Sequence, residues 1–151
     1  MTTHQNTLTA PTLRIICTSL GLKVTDLEEI FDVAHRTATR WLSTDPAPGP
    51  VQAQVRGFQA ATSALIEATL TEIDTELADD DTETTVILSR YPVDKLMPAQ
   101  ASDDQIWLHG PHTWDAMLGR LINTLAEQDI NAEVVTATEP QPLYRLQRAH
   151  D

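Results

Sequence analysis

The sequence predicts an α+β chain with an all-α N-terminal domain, a long connecting helix and a small α/β C-terminal domain. Three observations carry this. Apolar residues recur at helical spacing from Leu13 to Leu42 and again from Val51 to Leu77. Three prolines, Pro46, Pro48 and Pro50, separate those stretches. Further along, β-branched runs such as Thr84-Thr85-Val86-Ile87-Leu88 alternate with one more helical pattern. The expected organisation is a disordered start over residues 1–9, the helical domain and its linker over 10–50 and the long helix over 51–80. The α/β domain then covers 81–137 and a tail 138–151.

Each element has a local cause. Pro11 opens the first helix where a missing N–H does no harm, Leu13, Ile16, Cys17 and Leu20 share one face, and Gly21 ends it. Thr25 and Glu28 have the spacing of a capping box for a second helix starting near Val24, with Leu27, Ile30 and Phe31 inward. Asp32-Val33-Ala34 makes the turn. A third helix, His35 to Leu42, buries Ala38, Trp41 and Leu42 and leaves His35, Arg36, Thr37, Thr39 and Arg40 polar. Ser43 to Pro50 is too rich in proline for helix. The long helix follows from Val51 to about Ala78, stepping through Val51, Val55, Phe58, Leu65, Ile73 and Leu77 until Asp79-Asp80-Asp81 ends it. Thr84 to Leu88, Gln105 to Leu108 and Glu133 to Thr136 read as strands, and Leu143 to Leu146 as a possible edge strand in the tail. Between them Thr113 to Gln128 forms a helix whose apolar stripe is Trp114, Met117, Leu118, Leu121, Ile122 and Leu125.

Composition narrows the classes. The chain has 151 residues, 41% of them hydrophobic, enough for a packed core. It has no apolar run of membrane length and no signal-peptide pattern at its start, so a cytoplasmic protein without a membrane partner is expected. Cys17 is the one cysteine, set among Ile15, Ile16 and Leu20, and reads as a buried apolar side chain. The net charge of −12 is unevenly spread. Residues 1–60 carry five basic and five acidic groups, whereas 61–151 carry five basic and seventeen acidic ones. A neutral head on an acidic body would bind nonspecific DNA weakly, leaving its affinity to base contacts and geometry.

The segment Gly21 to Leu42 resembles the helix-turn-helix of lambda-repressor and Cro-type transcriptional regulators, within a resemblance that covers about 35 residues from 10 to 43 and keeps the family spacing intact. Leu27, Ile30, Phe31, Val33, Ala38 and Trp41 fall where that motif keeps its interhelix core. Two positions depart from it: Glu28 replaces a small residue, and Asp32 replaces the turn glycine. The resemblance implies that the second helix of the motif enters the major groove. Ala34, His35, Arg36 and Arg40 then take the DNA-facing positions, with Thr37 and Thr39 as lesser candidates. Arg36 suits guanine O6 and N7, His35 can donate or accept, and Arg40 suits a phosphate. The C-terminal order of elements resembles, in architecture more than in letters, the dimerisation domain of phage and plasmid autorepressors such as anti-CRISPR-associated regulators.

No nucleophile elbow, phosphate loop or cysteine pattern is present, so neither an enzyme nor a cofactor is expected. His109-Gly110-Pro111-His112 with Asp115 has the makings of a metal site, but exposed histidines beside a proline-glycine turn are commoner, and none is assigned. The expectation is therefore a repressor, acting on its own promoter as autorepressors do, that binds an inverted-repeat operator in double-stranded DNA as a homodimer. Pairing would run through residues 84–137, because three short strands can hardly bury the stripe from Trp114 to Leu125. The alternative is an antitoxin-like or adaptor protein whose acidic C-terminal half binds a protein partner. That alternative needs a disordered tail.

Overall fold

The computed structural model describes residues 8–78, 83–97 and 110–149 of the chain. The expected strand at Gln105–Leu108, the acidic run Asp79–Asp81 and His109 lie outside the described residues. The elements are α1 (Ala10–Leu20), α2 (Val24–Phe31), α3 (His35–Trp41), α4 (Gly49–Leu77), β1 (Thr84–Arg90), α5 (Pro111–Glu127), β2 (Ala132–Thr136) and β3 (Tyr144–Arg148). The class is α+β, with helices first and a small sheet last.

The head is built by α1, α2, α3 and the first half of α4. Thr9 caps α1, its side chain accepting the Thr12 N–H, and Gly21 closes it in the left-handed region at φ 75°. Leu13, Cys17, Leu20, Leu27, Ala38, Trp41, Val51, Val55 and Phe58 form one buried cluster. Burial pushes the Cys17 thiol up to about 12, with Asp26 adding to the rise. The long helix is therefore more than a connector, since its N-terminal half is a wall of the head. It also starts earlier than expected. Gly49 and Pro50 belong to its first turn, where backbone N–H groups have no intrahelical acceptor to lose.

The second half of α4 belongs to another cluster. Ile66 and Ile73 pack with Val86 and Leu88 of β1, Tyr91, and Trp114, Met117, Leu118, Leu121 and Leu125 of α5. Two inward positions of α4 are threonines rather than the expected leucines. Thr62 and Thr69 are buried because each hydroxyl donates to the carbonyl one turn back, on Phe58 and Leu65, both at 2.8 Å. Leu65 and Leu77 sit half-buried at the margin.

The sheet has the order β2-β1-β3. β2 runs parallel to β1, Val86 opposite Ala132 and Leu88 opposite Val134, and α5 makes the crossover between them. β3 runs antiparallel to β1, Val86 opposite Leu146 and Leu88 opposite Tyr144. The sheet thus extends past residue 137 into the tail. Its last strand is tied down further by the Tyr91 hydroxyl, which donates to the Gln141 carbonyl at 2.6 Å, and by the Ser89 hydroxyl, which donates to Pro142 at 2.7 Å. Trp114 joins the same knot through its indole N–H, 2.9 Å from the Ser89 carbonyl, with its ring edge-on to Tyr91 at 5.0 Å.

One sequence-based expectation is corrected here. The stripe on α5 is buried within the chain, Trp114 at 2% exposure and Leu121 and Leu125 at 0%, covered by β1 on one side and α4 on the other. Counting strands alone left out α4, which supplies the missing cover. Among the described residues no helix is long and apolar enough to cross a membrane.

Candidate nucleic-acid interface

The turn between α2 and α3 is set by its backbone. Asp32 adopts the left-handed conformation, φ 51° and ψ 57°, and its N–H bonds to the Glu28 carbonyl. An aspartate tolerates that region better than most residues, which is why it stands in for glycine. The Val33 N–H returns to the same carbonyl at 3.2 Å. Three residues therefore separate two helices held by a shared core: Leu27 and Ala38 at 0% exposure, and Phe31 edge-on to Trp41 with ring centroids 6.0 Å apart. Such an edge-to-face pair fixes the crossing of α2 over α3, because rotating either helix separates the rings.

What α3 turns outward is polar. Ala34, its N-cap, is exposed, as are His35, Arg36, Thr39 and Arg40, while Thr37 is half-buried. Ala38 and Trp41 take the inward side. Among the described residues neither Arg36 nor Arg40 is paired with a carboxylate. Two guanidinium groups on adjacent turns of one helix are thus free to meet anionic oxygen or a base edge. The Arg40 carbonyl is occupied, accepting the N–H groups of Ser43, Thr44 and Asp45 at 3.2, 2.9 and 2.9 Å, and this closes α3.

Two residues that the sequence did not single out join this surface. Arg14 of α1 and Lys23 at the start of α2 line a shallow cleft together with Thr39 and Ser43. Both are exposed, so α1 and α2 bring two basic groups beside Thr39 of α3. Their charge was visible in the sequence; their placement beside Thr39 was not.

The cap of α2 differs from the expected one. Asp26, not Glu28, closes the first turn, its Oδ2 accepting the Lys23 N–H at 2.7 Å. That registers the helix two residues earlier than a cap at Thr25 would allow. The same Oδ2 is 2.8 Å from His112 Nε2 on α5, so this buried carboxylate also ties the head to the body. Gly21 packs at that joint, where a Cβ would lie 2.7 Å from the His112 carbonyl oxygen and 3.1 Å from Thr113 Cα. Glu28, released from capping, reaches His35: Oε2 is 2.9 Å from Nδ1.

His112 is therefore engaged by Asp26 rather than turned toward a metal. Asp115, the carboxylate of the same motif, is held by Arg90, whose Nε and Nη2 are 3.1 and 3.0 Å from its Oδ2. Among the described residues no three histidine, cysteine, aspartate or glutamate side chains gather as a ligand set.

No protein-family model matches this chain. No curated protein matches it either.

Proposed function

We propose that the chain is a sequence-specific DNA-binding transcription regulator, a cytoplasmic repressor that occupies an inverted-repeat operator, and that it is not an enzyme. The observation that carries this reading is the outward side of α3. It offers two uncommitted arginines and an exposed histidine from a short helix held rigidly against α2 by the Phe31–Trp41 contact. A helix-turn-helix reads DNA with such a helix, its N-terminal residues against base edges and later ones against phosphate. Arg36, one residue inside α3, is the base reader, and Arg40 one turn on, with Arg14 and Lys23 beside the cleft, meets the backbone. The acidic second half of the chain repels DNA and favours one orientation of approach.

Homodimer formation remains part of the proposal, because a lone head offers few contacts and inverted repeats match two-fold symmetry. The surface that would carry it is not the α5 stripe, which the chain covers itself. Of the described surface, the outer face of the sheet and the outer side of α4 stay open to a second copy. On the latter, Ala53, Ala60, Ala64 and Ala68 are all exposed. The rival reading, an antitoxin-like or adaptor protein whose acidic C-terminal half binds a protein partner, calls for a disordered tail, whereas residues 144–148 form a strand of the sheet.

Capture of genomic fragments by the purified protein, followed by sequencing, tests the reading. Enrichment of one short inverted repeat is expected. Recovery of fragments without a shared sequence would overturn it. Sedimentation equilibrium at micromolar concentration tests pairing separately, with a dimer expected; a monomer removes the homodimer from the proposal.

A further inference from the structure

Glu28 is the residue that fits the motif least, a long acid where a small side chain is usual, and its contact gives it a role. Its Oε2 lies 2.9 Å from His35 Nδ1, and the two side chains are 28% and 70% exposed. An ionised carboxylate only accepts hydrogen bonds, so the proton in this contact belongs to Nδ1. A neutral imidazole carries a single ring proton, so Nε2 is left bare as an acceptor. The two ring nitrogens point in divergent directions, so Nε2 faces away from Glu28. His35 is the first residue of α3, the part of a recognition helix that meets base edges.

The major groove answers an acceptor in a restricted way. Cytosine presents the N4 amino group and adenine the N6 amino group, whereas guanine and thymine present only acceptors at O6, N7 and O4. We propose that Glu28 is a positioning residue that holds His35 as a hydrogen-bond acceptor, making the protein select cytosine or adenine over guanine or thymine on the contacted strand. The inference rests on the reading that α3 enters the major groove. Without Glu28 the ring is free to carry its proton on Nε2, where it would suit guanine as well.

Two measurements test it, both at pH 8.5, well above the ordinary imidazole value of about 6.5. Long-range proton–nitrogen NMR of the free protein reads the tautomer directly. His35 is expected to be protonated on Nδ1 in the wild type and chiefly on Nε2 in Glu28→Ala. A wild-type ring protonated on Nε2 overturns the proposal whatever the DNA result. The second measurement is a panel of duplexes carrying each base at each operator position. The wild type should favour C or A over G or T at one position per half-site by about fivefold, the worth of one hydrogen bond. Glu28→Ala and His35→Ala should each bring that ratio to within about twofold. A preference that survives in both variants refutes the assignment. Expected NMR with no duplex bound at all refutes the underlying reading of α3 instead.

Discussion

Replacing Gly21 by alanine should be costly, because both its backbone conformation and its close neighbours resist a side chain. Gly21 sits at φ 75°, and an L-residue there pays roughly 1–2 kcal/mol relative to the right-handed region. The new Cβ would also stand 2.7 Å from the His112 carbonyl oxygen, 3.0 Å from Ala116 Cβ and 3.1 Å from Thr113 Cα. Two of those atoms are backbone in the first turn of α5, and they can retreat only by moving the helix and stretching the Asp26–His112 contact. Overpacking of this kind costs about 1–3 kcal/mol, giving a total of about 2–5 kcal/mol. With a urea slope of roughly 2 kcal/mol per molar, the midpoint should fall by about 1–2.5 M. Gly119→Ala is the control: that glycine is an exposed position within α5, with nothing within 4 Å of its Cβ, and should gain up to about 1 kcal/mol from helix propensity. If Gly21→Ala shifts the midpoint no more than Gly119→Ala does, the close docking of head on body described here is wrong.

Other consequences are checkable. Trp41→Ala should destabilise the head by about 3–5 kcal/mol, and thermal unfolding followed by far-UV circular dichroism should show the head melting before the body. An unchanged melting curve contradicts the role of the Phe31–Trp41 contact. Asp26→Ala and His112→Ala, measured singly and together in urea, should show a coupling of about 1–2 kcal/mol, whereas strict additivity would mean the 2.8 Å contact is idle in solution. Cys17 gives a pH signature. Its folded thiol is raised from 9.0 to about 12, so the unfolded chain releases the proton first. The folded state then holds the extra proton between those values, and stability is complete below pH 9 and falls as pH rises toward 12. The fall should be shallower in Cys17→Ala; an identical slope contradicts burial of the thiol.

Much of this architecture is legible in the residues because its causes are local. Pro11 and Gly21 bracket α1, apolar spacing reveals α2, α3 and α5, and β-branched runs mark β1 and β2. The illegible parts depend on distant partners. Asp26 looks like an ordinary first-turn acid until His112, 86 residues away, is brought to it. Glu28 reads as a capping residue because its spacing from Thr25 is right, and only the fold shows that Asp26 takes that task. The covering of the α5 stripe by α4 is a tertiary event that no periodicity announces. At the candidate interface, exposure of His35, Arg36 and Arg40 follows from the inward positions of Ala38 and Trp41, whereas the grouping of Arg14 and Lys23 beside Thr39 depends on how α1 crosses α3.

The claim that α3 reads DNA is tested most directly by comparing Arg36→Ala with Arg40→Ala on a base-substitution panel and across a salt titration. Arg36→Ala should lose about 1–3 kcal/mol on the preferred duplex and lose discrimination at one base pair. Arg40→Ala should weaken every duplex alike and flatten the salt dependence by about one counterion. Equal affinity of the wild type for all duplexes, or both variants binding as tightly and as selectively as the wild type, would contradict the account.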